Sequence, residues 1–246
     1  RRVSNMDSIV MITNDVSLSC VNLLKNIFTH VIIVPYRKYK SKKLNIKKLK
    51  QLKRYNSWIE SSYTKWNLLG FIQYKKIIFL DADVIIIKNI DSIFEFDTPA
   101  GIFTNAWSAT YKDKGFKDYY KNLKIGQKIP HKIIDIAINN KYNIGSVVIG
   151  TSVLLTPSKK DYNGLFQMLK NSKEFGFNTK SGFDEQAITY YYRINNKLWT
   201  ILPPNLNTIG WHLHLLFNQK YHIKKQEKTK KKKLNKKLKK IKQKLT

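Results

Sequence analysis

Short apolar runs alternate with amphipathic stretches along this chain. "DSIVMI" (7–12) has the compact apolar character of a buried strand. In "DVSLSCVNLLKNIF" the apolar positions Cys20, Leu23, Leu24 and Ile27 recur at helical spacing, with Asn14, Asp15 or Ser17 available as an N-cap. "HVIIVPY" predicts a second strand that Pro35 ends. Leu49, Leu52, Tyr55 and Ile59 then fall on one helical stripe, and "SSYTKWNLLGFIQY" predicts a further helix. "KKIIFL" predicts a third strand. "VIIIKNIDSIFEF" predicts a short strand and a helical turn, and residues 98–142 read as irregular and polar-aromatic. "SVVIGTSVLLTPS" is a buried strand stopped by Pro157, and "YNGLFQMLKNS" a helix. "SGFDEQAITYYYRIN" is another helix, capped by Ser181 or Asp184, and "LWTILPPNLN" a last strand and turn. Strands alternating with helices predict an open, mostly parallel α/β sheet.

The third strand ends in "IIFLDAD", so Asp81 and Asp83 stand at its carboxyl end, where open α/β sheets bind ligands. Carboxylates flanked by "IIFL" and "VIII" are costly to desolvate unless something positive meets them. Residues i and i+2 of extended chain point the same way, so both can face one hard cation, while small Ala82 leaves the backbone approachable. Mg²⁺ and Mn²⁺ favour such oxygen donors and share them with substrate phosphates. The plainer reading is a polar strand exit, and Lys65 alone would read as a solvated lysine.

The net charge of +30 changes the picture less than its size suggests, because it is concentrated. Residues 37–54 carry ten Lys/Arg and no acid, and residues 220–246 carry fourteen Lys against one Glu. Such segments suit a polyanion, but the Ile-, Lys-, Asn- and Tyr-rich composition also fits AT-rich codon usage, and both readings stand. In the tail Leu234, Leu238, Ile241 and Leu245 make a thin apolar stripe, compatible with an anionic surface or with a solvated, partly disordered tail. The single cysteine, Cys20, excludes an internal disulfide framework and zinc-type Cys/His spacing, fits a reducing compartment, and is expected to pack in the core. No run reaches membrane-spanning length and the start carries no secretory pattern, so a cytoplasmic location is expected.

The run "YTKWNLLGFIQYKKIIFLDADVIIIKNIDSIFEF" resembles glycosyltransferase family 8, the glycogenin-like enzymes, in its Thr-Lys pair, Tyr-Lys, hydrophobic strand, Asp-x-Asp and "NID" segment. "TPSKKDYNGL", "GFDEQAI" and "LPPNLN" are similar to further family segments, and the resemblance covers about residues 7–222. It implies a Rossmann-like nucleotide-diphospho-sugar transferase fold (GT-A type), with a mixed, mostly parallel sheet flanked by helices, over 1–222, followed by a lysine-rich tail, 223–246, helical or disordered. It implies Mn²⁺ or Mg²⁺ held by Asp81, Asp83 and a later histidine, His222, and bridging the diphosphate of a UDP-sugar. Lys65 would face that diphosphate, with Ala82, Gly150 and Thr151 lining the donor. Asp184, Glu185 and Gln186 fall where the family places sugar-contacting and catalytic residues; Gln186 matches best, and Glu185 replaces an aspartate.

Some family features are displaced. "IVMITND" superficially resembles the family's first strand, but the spacing to "DAD" and the following "LLKNIFTHVIIVPY" suit its second strand better, so a first βα unit is expected to be lacking. Asn143 and Gly145 form an Asn-x-Gly six residues too early, and the matching distance from Pro157 falls on Ile149, with Gly150 and Thr151 beside it. The ending offers only "KYHIKK", with His212 and His214 of "WHLH" as substitutes for His222. No tyrosine stands where self-glucosylation would occur. The expected function is a metal-dependent retaining transferase that moves a hexose, glucose first among candidates, from a UDP-sugar to a glycan or protein acceptor. A second copy of the chain is a candidate partner. The alternatives are a degenerate sugar-nucleotide-fold protein and a polyanion-binding module.

Overall fold

A computed structural model of the 246-residue chain describes residues 4–40, 59–82, 84, 86, 88–103, 122–139, 146–173, 175–176 and 182–203. The chain divides into two compact units, Arg1–Leu206 and Asn207–Thr246, and all described residues belong to the first. Strands β1 (Ile9–Ile12) and β2 (His30–Ile33) pair in parallel around helix α1 (Leu18–Lys25). Ser17 caps α1 by accepting from the Cys20 N–H, as the pattern predicts. The apolar stripe of α1, however, is not buried. Leu23 is 64% and Ile27 72% exposed, and Cys20 is exposed as well. The expectation of a core cysteine is therefore wrong. Helical spacing reports which residues share a face, not whether anything covers that face.

The second sheet has the order β3–β5–β4–β6, from β3 (Ile77–Leu80), β4 (Ala100–Phe103), β5 (Val148–Leu155) and β6 (Thr200–Leu202). β5 runs antiparallel to both β3 and β4, while β4 and β6 are parallel. The protein is thus mixed α/β with a mixed sheet, and the mostly parallel sheet expected from sequence is corrected by the reversed β5. Helices α2 (His131–Ile138), α3 (Lys159–Asn171) and α4 (Phe183–Ile194) build the larger core with Val148, Val153 and Leu155. Ile149, Leu154, Ile102, Leu202 and Ile93 form a smaller core. No described helix is long and apolar enough to cross a membrane.

Two local features set up the site. Residues Ile59–Gly70 form a 3₁₀ helix, and Tyr63, Trp66 and Leu69 are all fully buried. A 3₁₀ helix turns every three residues, so this i, i+3, i+6 series makes one stripe, and Lys65 stands in the row beside it. The second feature is an irregularity in β5. Gly101 pairs with Val153 but Phe103 pairs with Val148, so one β4 residue faces four of β5. Val148 and Val153 both reach the larger core, and Ile149 and Leu154 the smaller one, so the side-chain alternation resets between them. Gly150 lies inside that reset. Bulged strands of this kind release backbone groups from the ladder.

The sequence reading missed β4 and α2, both inside the stretch taken as irregular. Val84 and Ile86 are not in a strand, contrary to the short strand expected there, and the helical turn is a 3₁₀ segment at Asp91–Glu95. The helical stripe from Leu49 falls mainly on residues outside those described.

Candidate functional site

The ladder between β3 and β5 ends with Leu80 opposite Ser152. One residue further, the Asp81 N–H donates to the Thr151 carbonyl at 3.2 Å, so backbone pairing carries Asp81 to the sheet edge with its carboxylate 29% exposed. Across from it, α4 begins after Gly182, which is the N-cap in place of the expected Ser181 or Asp184. Ser181 lies outside the described residues. Asp184 is instead in the first turn, 8% exposed, and its carbonyl accepts from Trp66 Nε1 at 3.1 Å. That bond ties the start of α4 to the 3₁₀ helix bearing Lys65.

Lys65 joins the two carboxylates. Its Nζ lies 2.8 Å from Asp184 Oδ2 and 3.3 Å from Asp81 Oδ1, and 3.5 Å from the Gly150 carbonyl. The ammonium also sits 5.0 Å from the Phe79 ring centroid. Burial alone would lower the lysine pKa. The charges of Asp184, then Asp81, outweigh it, with Glu185 adding less, so Lys65 is held protonated.

Glu185 closes the arrangement from the other side. Its Oε1 accepts from the Gly150 N–H at 2.7 Å and its Oε2 from the Gly182 N–H at 3.3 Å. A Cβ on Gly150 would stand 2.7 Å from Glu185 Cγ, so the close approach requires glycine. Both backbone groups of Gly150 thus serve the cluster, the carbonyl toward Lys65 and the N–H toward Glu185. Burial first, and the neighbouring Asp184 charge second, push the Glu185 carboxyl up from 4.5 to about 7; the Gly150 N–H, Lys65 and the Gly182 N–H pull the other way. Two adjacent acids therefore sit differently: Asp184 is ion-paired to Lys65, and burial holds the Glu185 carboxyl above its ordinary range while both its oxygens accept backbone N–H groups.

The structure brings together Lys65, Asp81, Gly150, Asp184 and Glu185, which stand 120 positions apart at the extremes of the sequence. Thr151 takes part through its carbonyl, and Ala82 is exposed beside Asp81. Gln186 follows in α4 and is wholly buried. Asp83, His222, His212, His214, Asn143 and Gly145 lie outside the described residues. Among the described residues no three His, Cys, Asp or Glu side chains converge as a metal cluster. The backbone N–H of Gly182 was missed by sequence reasoning, although glycine before an acidic first turn is a cap signal. Phe79 was missed as a ring under the lysine, since a strand apolar residue carries no such mark.

No family model matches the chain. It is 31% identical over 216 residues to an uncharacterized protein of Acanthamoeba polyphaga mimivirus, covering 88% of this chain and 65% of that protein. Over 52 residues, 21% of this chain, it is 44% identical to the Arabidopsis thaliana protein named "Putative UDP-glucuronate:xylan alpha-glucuronosyltransferase 3", covering 8% of it. It is 35% identical over 52 residues to Arabidopsis thaliana UDP-glucuronate:xylan alpha-glucuronosyltransferase 2, covering 9% of that protein. The chain thus spans less than two thirds of each relative, and its likeness to the plant glycosyltransferases is local.

Proposed function

We propose that the Lys65 cluster is the donor site of a metal-dependent, retaining glycosyltransferase that uses a UDP-sugar. The observation that carries this reading is the lysine held between a strand-end carboxylate, Asp81, and a helix-start carboxylate, Asp184. The local likeness to plant glycosyltransferases supports it.

Asp81 supports a divalent cation at the accessible part of the site, since it presents a hard oxygen donor at the exposed edge and small Ala82 stands beside it. Asp81 and Asp83 would hold the ion, and Mn²⁺ or Mg²⁺ would offset the charge of the departing diphosphate. Lys65 would turn toward the phosphate oxygens, a short step for an ammonium on a flexible stem. Thr151 and Gly150 fix the backbone against which the donor lies. Asp184, Glu185 and Gln186 belong to the sugar end, where Asp184 accepts from hydroxyls and Glu185 holds Gly150 in place. In transfer the C1–O bond to the diphosphate breaks, a C1–O bond to an acceptor hydroxyl forms, and the hydroxyl proton leaves with UDP.

The test is a screen of UDP-sugars with and without Mn²⁺, reading both UDP release and glycosylated product. Mn²⁺-dependent UDP release with at least one donor, lost in Lys65→Met, is the expected result. Absence of release and of nucleotide binding across the screen refutes the reading. Binding without release marks a protein that keeps the site and lacks turnover.

A further inference from the structure

We infer that Glu185 is a positioning residue of this site, working through the reach of its side chain and not through its charge. The inference rests on the reading of the cluster as a donor site. It differs from the sugar-contacting or catalytic place that the family resemblance implies for this position. A carboxylate that serves the substrate must offer it an oxygen. Both oxygens of Glu185 are given to backbone, Oε1 to the Gly150 N–H at 2.7 Å and Oε2 to the Gly182 N–H at 3.3 Å. These partners are neutral, while the Lys65 ammonium is held by Asp184 and Asp81.

Gly150 is buried in the reset of β5, and the pairing registers with β3 and β4 do not include it. Its N–H therefore needs an acceptor from elsewhere in the fold. Glu185 is the third residue of α4, where a Glu or Gln reaches back to the N-cap N–H as half of a capping box. One side chain thus caps α4 and clamps β5. The clamp reaches the cluster by three ties. Trp66 Nε1 holds the 3₁₀ helix of Lys65 to the Asp184 carbonyl at 3.1 Å. The Gly150 carbonyl stands 3.5 Å from Lys65 Nζ. The next carbonyl, of Thr151, accepts from the Asp81 N–H at 3.2 Å. Displacing Glu185 therefore displaces the lysine and the strand-end carboxylate together. The fit is close, because a Cβ on Gly150 would stand 2.7 Å from Glu185 Cγ. An aspartate, one methylene shorter, draws both oxygens back from their N–H groups. A glutamine keeps the length and one acceptor oxygen, which stays with the buried Gly150 N–H, while the half-buried Gly182 N–H turns to water.

The experiment is calorimetric titration of UDP, with Mn²⁺ present, into the full chain and into Glu185→Gln and Glu185→Asp, each below its own melting transition. Glu185→Gln should bind UDP within about threefold of the parent, and Glu185→Asp at least about tenfold more weakly, the size of loss seen when a group that orients ligands is displaced. Keeping the charge and losing the reach is then worse than the converse, the opposite of what a substrate-contacting carboxylate gives. A Glu185→Asp chain that melts lower yet binds UDP like the parent has lost only stability, and overturns the inference. A loss in Glu185→Gln of tenfold or more assigns the role to charge and overturns it too; this variant decides the matter by itself where Glu185→Asp does not fold. Failure of UDP to bind the parent refutes the donor-site reading, and the inference falls with it.

Discussion

Removing the Lys65 ammonium should expose how much repulsion the site contains. In Lys65→Met the stem is kept and the charge is lost. The distances to Asp184 and Asp81 are 2.8 Å and 3.3 Å, so with an effective dielectric of about 20 the two attractions are worth at most about 6 and about 5 kcal/mol. Desolvation of the lysine itself, which the variant escapes, offsets a large part. Deleting one partner of a buried pair costs about 3–5 kcal/mol, and with Lys65 17% exposed the lower end, about 3 kcal/mol, is expected. For a chain of this size that corresponds to a fall in Tm of roughly 6–12 °C. The loss should also depend on pH. Lys65 is one of the groups that pull the Glu185 pKa down, so without it the carboxyl rises further from its value of about 7. A group whose folded pKa is raised contributes stability that is present at low pH and is lost as pH rises through the folded value. Lys65→Met should therefore be penalised more at pH 8 than at pH 6, where a proton on Glu185 does part of the ammonium's work. Urea unfolding at both pH values measures this. A variant within about 0.5 kcal/mol of the parent at pH 8, a shift typical of surface substitutions, would refute the reasoning.

Glu185→Gln should flatten the stability of the parent between pH 4.5 and about 7, where the folded chain binds the extra proton; the slope removed amounts to at most about 3 kcal/mol, and urea midpoints across that range would show it. Gly150→Ala places a Cβ 2.7 Å from Glu185 Cγ and should cost about 1–3 kcal/mol, with most of that cost absent in a Glu185→Ala background when the double-mutant cycle is measured. Lys197→Met serves as a control. It strips the 2.5 Å ion pair from Asp161, which is 3% exposed and keeps the Tyr191 hydroxyl at 3.3 Å, so stability should fall by about 2 kcal/mol while nucleotide affinity stays unchanged by calorimetry.

Much of this was legible in the sequence because local chemistry dictated it. "IIFLDAD" placed Asp81 at a strand end, and the β3–β5 ladder does carry it there. Ser17 as a cap, β5 before Pro157, and the existence of the α3 and α4 helices followed from local signals and helical spacing that need no distant partner. The reversed direction of β5 was not legible, since a buried strand reads the same in either orientation. Nor was the register shift beside Gly150, which depends on pairing with β4, itself missed because "AGIF" is too short and too uniformly buried to alternate. Helix α2 could have been found: Ile133, Ile134 and Ala137 fall at helical spacing just after Pro130. The exposure of Cys20 and of the α1 stripe lies beyond periodicity altogether. The pairing of Lys65 with Asp184 required the Trp66 bond to α4, which only the folded chain shows.

The most direct test of a nucleotide-sugar site at this cluster is calorimetric titration of UDP into the parent chain and into Asp81→Asn, each with and without Mn²⁺. The parent should bind UDP at least about tenfold more tightly with Mn²⁺ than without it, and Asp81→Asn should lose that gain. UDP affinity that ignores Mn²⁺ in the parent, or a Mn²⁺ gain that survives in Asp81→Asn, would contradict the role given to Asp81.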